Sequence, residues 1–221
     1  MRYWVVKRID LKTVSLGKMY NMNAPIVIEN FLPEDKLNLL LQYSQNSQEL
    51  YDFHQSSHEF WNKRCIYFHS ISNKKVQDLV LESTIEMRDI IKSNTNISTN
   101  FLYAEYPQFV RWDPGWQLTP HCDNCEPDGI TPNASPWRSH GGVIYLNDDF
   151  EGGEIFYPKL NIEIRPKPGM MVIHPAGLPY LHGIKKVTEG VRHTISVFFT
   201  YDSTSANLIK ETDIPDMLNF L

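Results

Sequence analysis

From about Asn100 onward the chain is built from short runs of apolar, aromatic and β-branched residues, each cut off by Gly, Pro, Asn or Asp. That punctuation predicts strands near 101–111, 141–147, 153–157, 161–165, 169–174, 182–187 and 191–201. Seven short strands joined by such turns fit a sandwich or jelly roll, in which each sheet buries one face against a second layer. The run between Asn124 and Ser139 holds three prolines, one glycine and few apolar residues besides Trp137. It predicts a long loop of the kind that carries function.

The first half reads differently. Pro25 to Leu32 resembles a short strand that stops at Pro33, and Pro33-Glu34-Asp35 opens a helix through about Gln48, with proline and acids where a helix start tolerates them. Leu37, Leu40, Leu41 and Ser44 line one face of it. A second helix over about 74–92 carries a stripe of Val76, Leu79, Val80, Ser83, Ile90 and Ile91, and a terminal helix is expected near 204–220. The chain is thus expected to be mostly β with flanking helices. We read it as one domain over 1–221, with a helical buttress at about 25–95, a β core at about 100–202 and the helix at 204–220.

A net charge of −5 argues against a broad nucleic-acid footprint, which needs clustered Lys and Arg. Lys7 and Arg8 break the first apolar run, so it cannot serve as a secretory core, and no apolar stretch reaches membrane-spanning length. Cys65, Cys122 and Cys125 are too few and odd in number for a disulfide framework. The expectation is a cytoplasmic protein without nucleic-acid or membrane partners.

The chemistry concentrates at His121-Cys122-Asp123. In extended chain, residues two apart face the same way, so an imidazole and a carboxylate converge while Cys122 points away. These are two parts of the facial two-histidine, one-carboxylate set that binds iron(II) and leaves positions open. A third ligand must come from another strand, and His182 in Pro179-Tyr180-Leu181-His182-Gly183 is the best candidate. The following strand returns with Arg192, Thr194 and Ser196 on one face, so that a guanidinium fork sits within reach of a bound carboxylate.

Blander readings stand beside these. A His-x-Asp pair alone is weak. Cys122-Asp-Asn-Cys125 has the form of a redox or zinc motif but lacks a second CxxC. His54, His58, His69, His140, His174 and His193 receive no role, and His174 is the nearest competitor as a ligand. Trp112, Trp116 and Trp137 belong either to core or to a substrate groove.

Taken in order, His121-x-Asp123, His182 and Arg192 ten positions later resemble the 2-oxoglutarate oxygenase superfamily, in particular its prolyl 4-hydroxylase branch. The resemblance runs over about 100–202. It includes Trp112-Asp-Pro-Gly-Trp-Gln-Leu-Thr-Pro-His, the run Val143-Ile-Tyr-Leu-Asn, Glu151-Gly-Gly-Glu and Lys167-Pro-Gly-Met-Met-Val-Ile-His. It implies a double-stranded β-helix with Fe(II) on His121, Asp123 and His182, and 2-oxoglutarate gripped by Arg192 and Tyr145 with Thr194 alongside. O2 is the other co-substrate and ascorbate a reductant.

The implied reaction hydroxylates a C–H bond, with a prolyl residue of a peptide or protein the leading substrate and a free amino acid or other small molecule the alternative; succinate and CO2 leave. Arg138, and at lower rank Trp112 and Trp137, would meet the substrate. Two departures stand out: Trp112 replaces a usual tyrosine, and Arg192 stands where collagen-type enzymes usually have lysine. A non-catalytic binding module and a metal hydrolase on the same ligands are the rival readings, and the second gives Arg192 no task.

Overall fold

The computed structural model describes residues 24–53, 59–95, 101–205 and 207–210. In chain order they form β1 (Ile26–Ile28), α1 (Glu34–Asn46), α2 (Gln48–Phe53), β2 (Cys65–Tyr67), α3 (Lys74–Thr95), β3 (Tyr103–Ala104), β4 (Gln108–Trp112) and β5 (Leu118–His121). There follow β6 (Arg138–Tyr145), β7 (Ile155–Tyr157), β8 (Ile162–Ile164), β9 (Met171–Pro175), β10 (His182–Ile184) and β11 (Arg192–Thr200). The larger sheet runs β1-β9-β6-β11-β4-β2, with β3 added onto β11, and the smaller runs β5-β10-β7-β8.

The two sheets face each other across a shared core. Val143, Tyr145 and Val172 of the larger sheet pack with Ile155, Tyr157 and Ile164 of the smaller one. The opposite face of the larger sheet carries Ile144, Ile173, Ile195, Val197 and Phe199 against Leu40 of α1 and Val76, Val80, Met87 and Ile91 of α3. This is the expected jelly roll with a helical buttress. On β11 the strand period of two sends Ile195, Val197 and Phe199 to the helices, and Arg192 and Thr194 to the interior.

Several local expectations change. The first helix stops at Asn46, where the Ser47 hydroxyl donates to the Tyr43 carbonyl, and the chain restarts as α2. Strands β2 and β5 lie outside the expected set, and in β5 Pro120 reads as a breaker. β5 is an edge strand, where a missing N–H costs little. Strand β6 begins at Arg138, earlier than expected, so the end of the anticipated loop is sheet.

The terminal helix is corrected in its described part. Among the described residues up to Lys210 the chain forms turns and no helix, with Leu208 bridging Glu105, Tyr106 N–H donating to Asn207 O and Ile209 N–H to Ala104 O. Pairing beside β3 satisfies the backbone that a helix would have satisfied internally. The remainder of that segment, residues 1–23, His54 and His58 lie outside the described residues. No described helix is long and apolar enough to cross a membrane.

Candidate metal and co-substrate site

Strands β5 and β10 are antiparallel neighbours, and their register pairs His121 directly with His182. Asp123 lies just past the end of β5, where its N–H donates to Ala176 O at 2.8 Å. One carboxylate oxygen, Oδ1, is 3.6 Å from His121 Nε2 and 4.0 Å from His182 Nε2. The ligand atoms of His121, Asp123 and His182 all lie within 4.8 Å of one another. Each imidazole has its other nitrogen committed: His121 Nδ1 is 3.0 Å from Thr119 O, and His182 Nδ1 is 3.0 Å from Tyr180 O. A carbonyl partner fixes the proton on Nδ1 and leaves the Nε2 lone pair to face a metal.

Burial disfavours charge on His182, and with the neighbouring His174 it brings the imidazole down to about 3. Burial also works against charge on His121, but the hydrogen bond and charge of Asp123 outweigh it and raise its pKa. For the Asp123 carboxyl, burial is overcome by His182, His121 and His174, which hold it well below the usual carboxylate range. An ionised carboxylate facing two available imidazole nitrogens is the donor set that a divalent ion of iron's class requires.

His174, set aside on sequence grounds, stands beside this group without joining it. Its Nδ1 is 3.8 Å from Asp123 Oδ2, and its ring centroid is 4.1 Å from that of His182. Gly141, the register partner of His174, makes the arrangement fit. A Cβ there would sit 2.5 Å from Asp123 Oδ2 and 3.1 Å from the His174 ring. The only sequence signal for this pair was that His174 ends a strand beside Pro175.

Deeper in the interior lies Arg192, 1% exposed, with Nε and Nη1 lacking any hydrogen-bond partner among the described residues. The Tyr145 hydroxyl and the Trp112 indole N–H are likewise buried and unpartnered. The Arg192 guanidinium carbon is 5.0 Å from the Tyr145 ring centroid and 5.2 Å from that of Trp112. Burial raises the Tyr145 hydroxyl pKa, and the Arg192 charge opposes the rise. Gly153, read as a turn residue, also clears this space: a Cβ would meet Arg192 Cδ at 2.9 Å. Several orphan donors around one buried cation form a pocket suited to a carboxylate. Thr194 shares the Arg192 face, but its hydroxyl is engaged by Val110 O at 3.3 Å.

The expected substrate residues separate. Trp112 is only 3% exposed, which moves it from a substrate groove to the wall of the Arg192 pocket. Trp137 is 40% exposed, and its indole N–H donates to Glu105 Oε1 at 2.9 Å. Arg138 forms a fork onto the same carboxylate at 3.2 and 2.9 Å, and its guanidinium lies 3.5 Å from the Phe198 ring centroid. An irregularity in the pairing at Phe199/Thr200 lets Arg138 reach the Phe198 side of the sheet, the interior one.

Residues 107–200 match the family model of the 2OG-Fe(II) oxygenase superfamily. Human prolyl 3-hydroxylase 2 is 36% identical over 93 residues, covering 37% of this chain and 13% of that protein. Human prolyl 3-hydroxylase 1 is 32% identical over 111 residues, covering 44% of this chain and 15% of its own. The chain therefore spans only a small part of the curated relatives it matches.

Among solved structures, viral collagen prolyl hydroxylase from Paramecium Bursaria Chlorella virus-1 matches with a TM-score of 0.55 and 19% identity, over 85% of this chain and 98% of that chain. A Pseudomonas putida prolyl-4-hydroxylase matches with a TM-score of 0.59 and 16% identity, over 80% and 91%. A Trichoplax adhaerens prolyl hydroxylase, solved with a hypoxia inducible factor peptide fragment, gives 0.58 and 18%, over 81% and 84%. At such identities these likenesses establish the fold. The superfamily implies Fe(II), 2-oxoglutarate and O2, and the donor set and orphaned guanidinium fit the first two. Residues 107–200 of this chain thus match the 2OG-Fe(II) oxygenase superfamily, and the chain is similar to prolyl hydroxylases in sequence over part of its length and in fold.

Proposed function

We propose that the protein is an Fe(II)- and 2-oxoglutarate-dependent hydroxylase acting on a prolyl residue of a peptide or protein, with release of succinate and CO2. The observation that carries this reading is an imidazole-carboxylate-imidazole group, with Asp123 and His182 buried, together with a buried Arg192 and Tyr145 whose Nε, Nη1 and Oη have no hydrogen-bond partner among the described residues. His121, Asp123 and His182 would hold the iron. When bound, iron and 2-oxoglutarate supply the activation of O2 that a side chain alone cannot.

The chain's own residues do the rest. Carbonyl oxygens of Thr119 and Tyr180 hold the two imidazoles in the tautomer that ligates. Arg192, whose Nε and Nη1 have no partner among the described residues, would take the distal carboxylate of 2-oxoglutarate, and the Tyr145 hydroxyl would add a third donor. Walls of Trp112, Tyr157 and Val172 keep water from the interior. At the rim, Arg138 and Trp137, tied to Glu105, present a cation and a half-exposed aromatic face to an incoming peptide. The sequence relatives act at proline C3 by name, and the Pseudomonas putida neighbour at C4. The position attacked in this protein's substrate is therefore read from the product.

The test is anaerobic. Apoprotein is loaded with Fe(II) and titrated with 2-oxoglutarate, and a metal-to-ligand charge-transfer band in the visible is expected. His182→Ala should lose the band, and Arg192→Ala should need far more 2-oxoglutarate to reach it. No band in folded, iron-loaded protein would sink the reading. Aerobic incubation with proline-containing peptides should then add one oxygen, ~16 Da, and NMR of the product assigns C3 or C4.

A further inference from the structure

Arg64 is a second buried guanidinium on the Trp112 ring that Arg192 also faces, outside the segment that matches the oxygenase family. It sits just before β2 and is 1% exposed. Its Nη1 donates to Phe60 O at 3.1 Å and its Nε to Arg111 O at 3.3 Å, while Nη2 is buried without a partner among the described residues. Aromatic rings surround the charge: its carbon lies 4.3 Å from the Phe60 centroid, 4.2 Å from Trp112 and 4.3 Å from Trp116. Burial, with the like charge of Arg192 among the lesser causes, draws its pKa down to about 10, so it stays protonated at neutral pH.

Trp112 is therefore shared by two guanidiniums, Arg64 at 4.2 Å and Arg192 at 5.2 Å. Both lean on one ring, so their separation is below ~10 Å, a range over which buried charges are little screened. Neither forms an ion pair with a carboxylate among the described residues. Two unneutralised buried cations beside each other cost stability unless an anion joins them. The tyrosine usual in the resembling family could not offer Arg64 so broad a face as the indole, which is the strongest of the aromatic cation acceptors.

We propose that Arg64 is a positioning and specificity residue of the co-substrate pocket, its charge relayed across Trp112 to reinforce Arg192 in selecting a keto acid that bears a distal carboxylate. This rests on the oxygenase reading above. It predicts a charge-specific effect, one a merely structural cage would not produce.

The experiment compares 2-oxoglutarate with 2-oxopentanoate, the same five-carbon chain ending in a methyl group. Each is titrated anaerobically into Fe(II)-loaded protein by the charge-transfer band, with thermal unfolding recorded in parallel. In Arg64→Met the preference for 2-oxoglutarate over 2-oxopentanoate should fall roughly tenfold, the order Coulomb's law gives for unit charges ~10 Å apart at an effective dielectric of about 20. Arg64→Lys, which keeps the charge, should hold the preference within about threefold. An unchanged preference in Arg64→Met, equal weakening of both keto acids, or loss of preference in Arg64→Lys overturns the proposal. Should Arg64→Met fail to fold, Arg64→Gln carries the same comparison. A wild type without a band for either keto acid refutes the underlying oxygenase reading instead, so the two failures are distinct.

Discussion

The two faces of the larger sheet bury polar groups by opposite rules. On the helix side, the polar atoms close on one another: Ser44 Oγ is 2.6 Å from Tyr51 Oη and 2.8 Å from His193 Nδ1, and the His193 N–H donates to Asn147 Oδ1 at 2.8 Å. On the interior side, Arg192 Nε and Nη1, Tyr145 Oη, Trp112 Nε1 and Asp123 Oδ2 have no partner among the described residues. An unmet buried donor or acceptor costs about 1–3 kcal/mol. Among the described residues the helix side leaves Tyr43 Oη as an orphan, whereas the interior gathers several orphans around one cation and one carboxylate, the grouping that a ligand would satisfy.

That contrast yields predictions that diverge between the faces. The largest effect is expected on the interior. Asp123→Ala removes the only carboxylate of the ligand group and should weaken Fe(II) or Mn(II) binding by more than about a thousandfold, beyond the 10–100-fold loss usual for an outer partner. Calorimetric titration checks it, and retained affinity would remove Asp123 from the ligand set. Next comes the helix face: Leu40→Ala should cost about 2–5 kcal/mol in denaturant unfolding while the folded protein binds 2-oxoglutarate as before. A shifted 2-oxoglutarate affinity would mean that the faces are coupled.

Gly141→Ala should follow, lowering metal affinity about 10–100-fold because the new methyl displaces Asp123 or His174. Normal affinity in that variant would show that the close contact can relax. Smaller again, Ser44→Ala should cost about 1–3 kcal/mol by stranding Tyr51 and His193, with metal binding untouched. Smallest is a pH effect on the same face. Burial, then the charge of Arg111, holds His193 at about 4, below the ~6.5 of an unfolded histidine. The unfolded chain thus binds the extra proton between those values, and apoprotein stability falls as pH drops through that window, by up to about 1.4 kcal/mol per unit. Denaturant midpoints at pH 7, 6 and 5 should slope less in His193→Gln than in wild type, and parallel slopes would dismiss the assignment.

What could be read in the chain beforehand follows from how far apart its partners lie. His121 and Asp123 stand two residues apart and His182 and Arg192 ten, so local period and spacing relate them, although β10 and β11 fall in different sheets and form no hairpin. Leu40, Val76 and Ile91 were legible for the same reason, since a helical stripe is a local pattern. Gly141 against His174, and Arg64 against Trp112, are contacts made by sheet register between distant segments, which no local pattern encodes. The start of the expected helix at 204–220 is not helical for a similar reason, because the backbone near Leu208 pairs with Glu105. Arg138 was linked to the substrate by resemblance alone, and its anchoring by Glu105 required the strands to be seen side by side.

The pairing of β5 with β10 joins a ligand met early in the β half to one met almost at its end. Contacts of such long sequence separation form late, after the intervening loop closure has been achieved. A nascent chain that has emerged only as far as Asp123 offers one imidazole and one carboxylate, too few donors to retain iron. An ion taking the proposed site would therefore find its three donors together only once β5 and β10 have paired, so the order of the strands sets when that centre could fill.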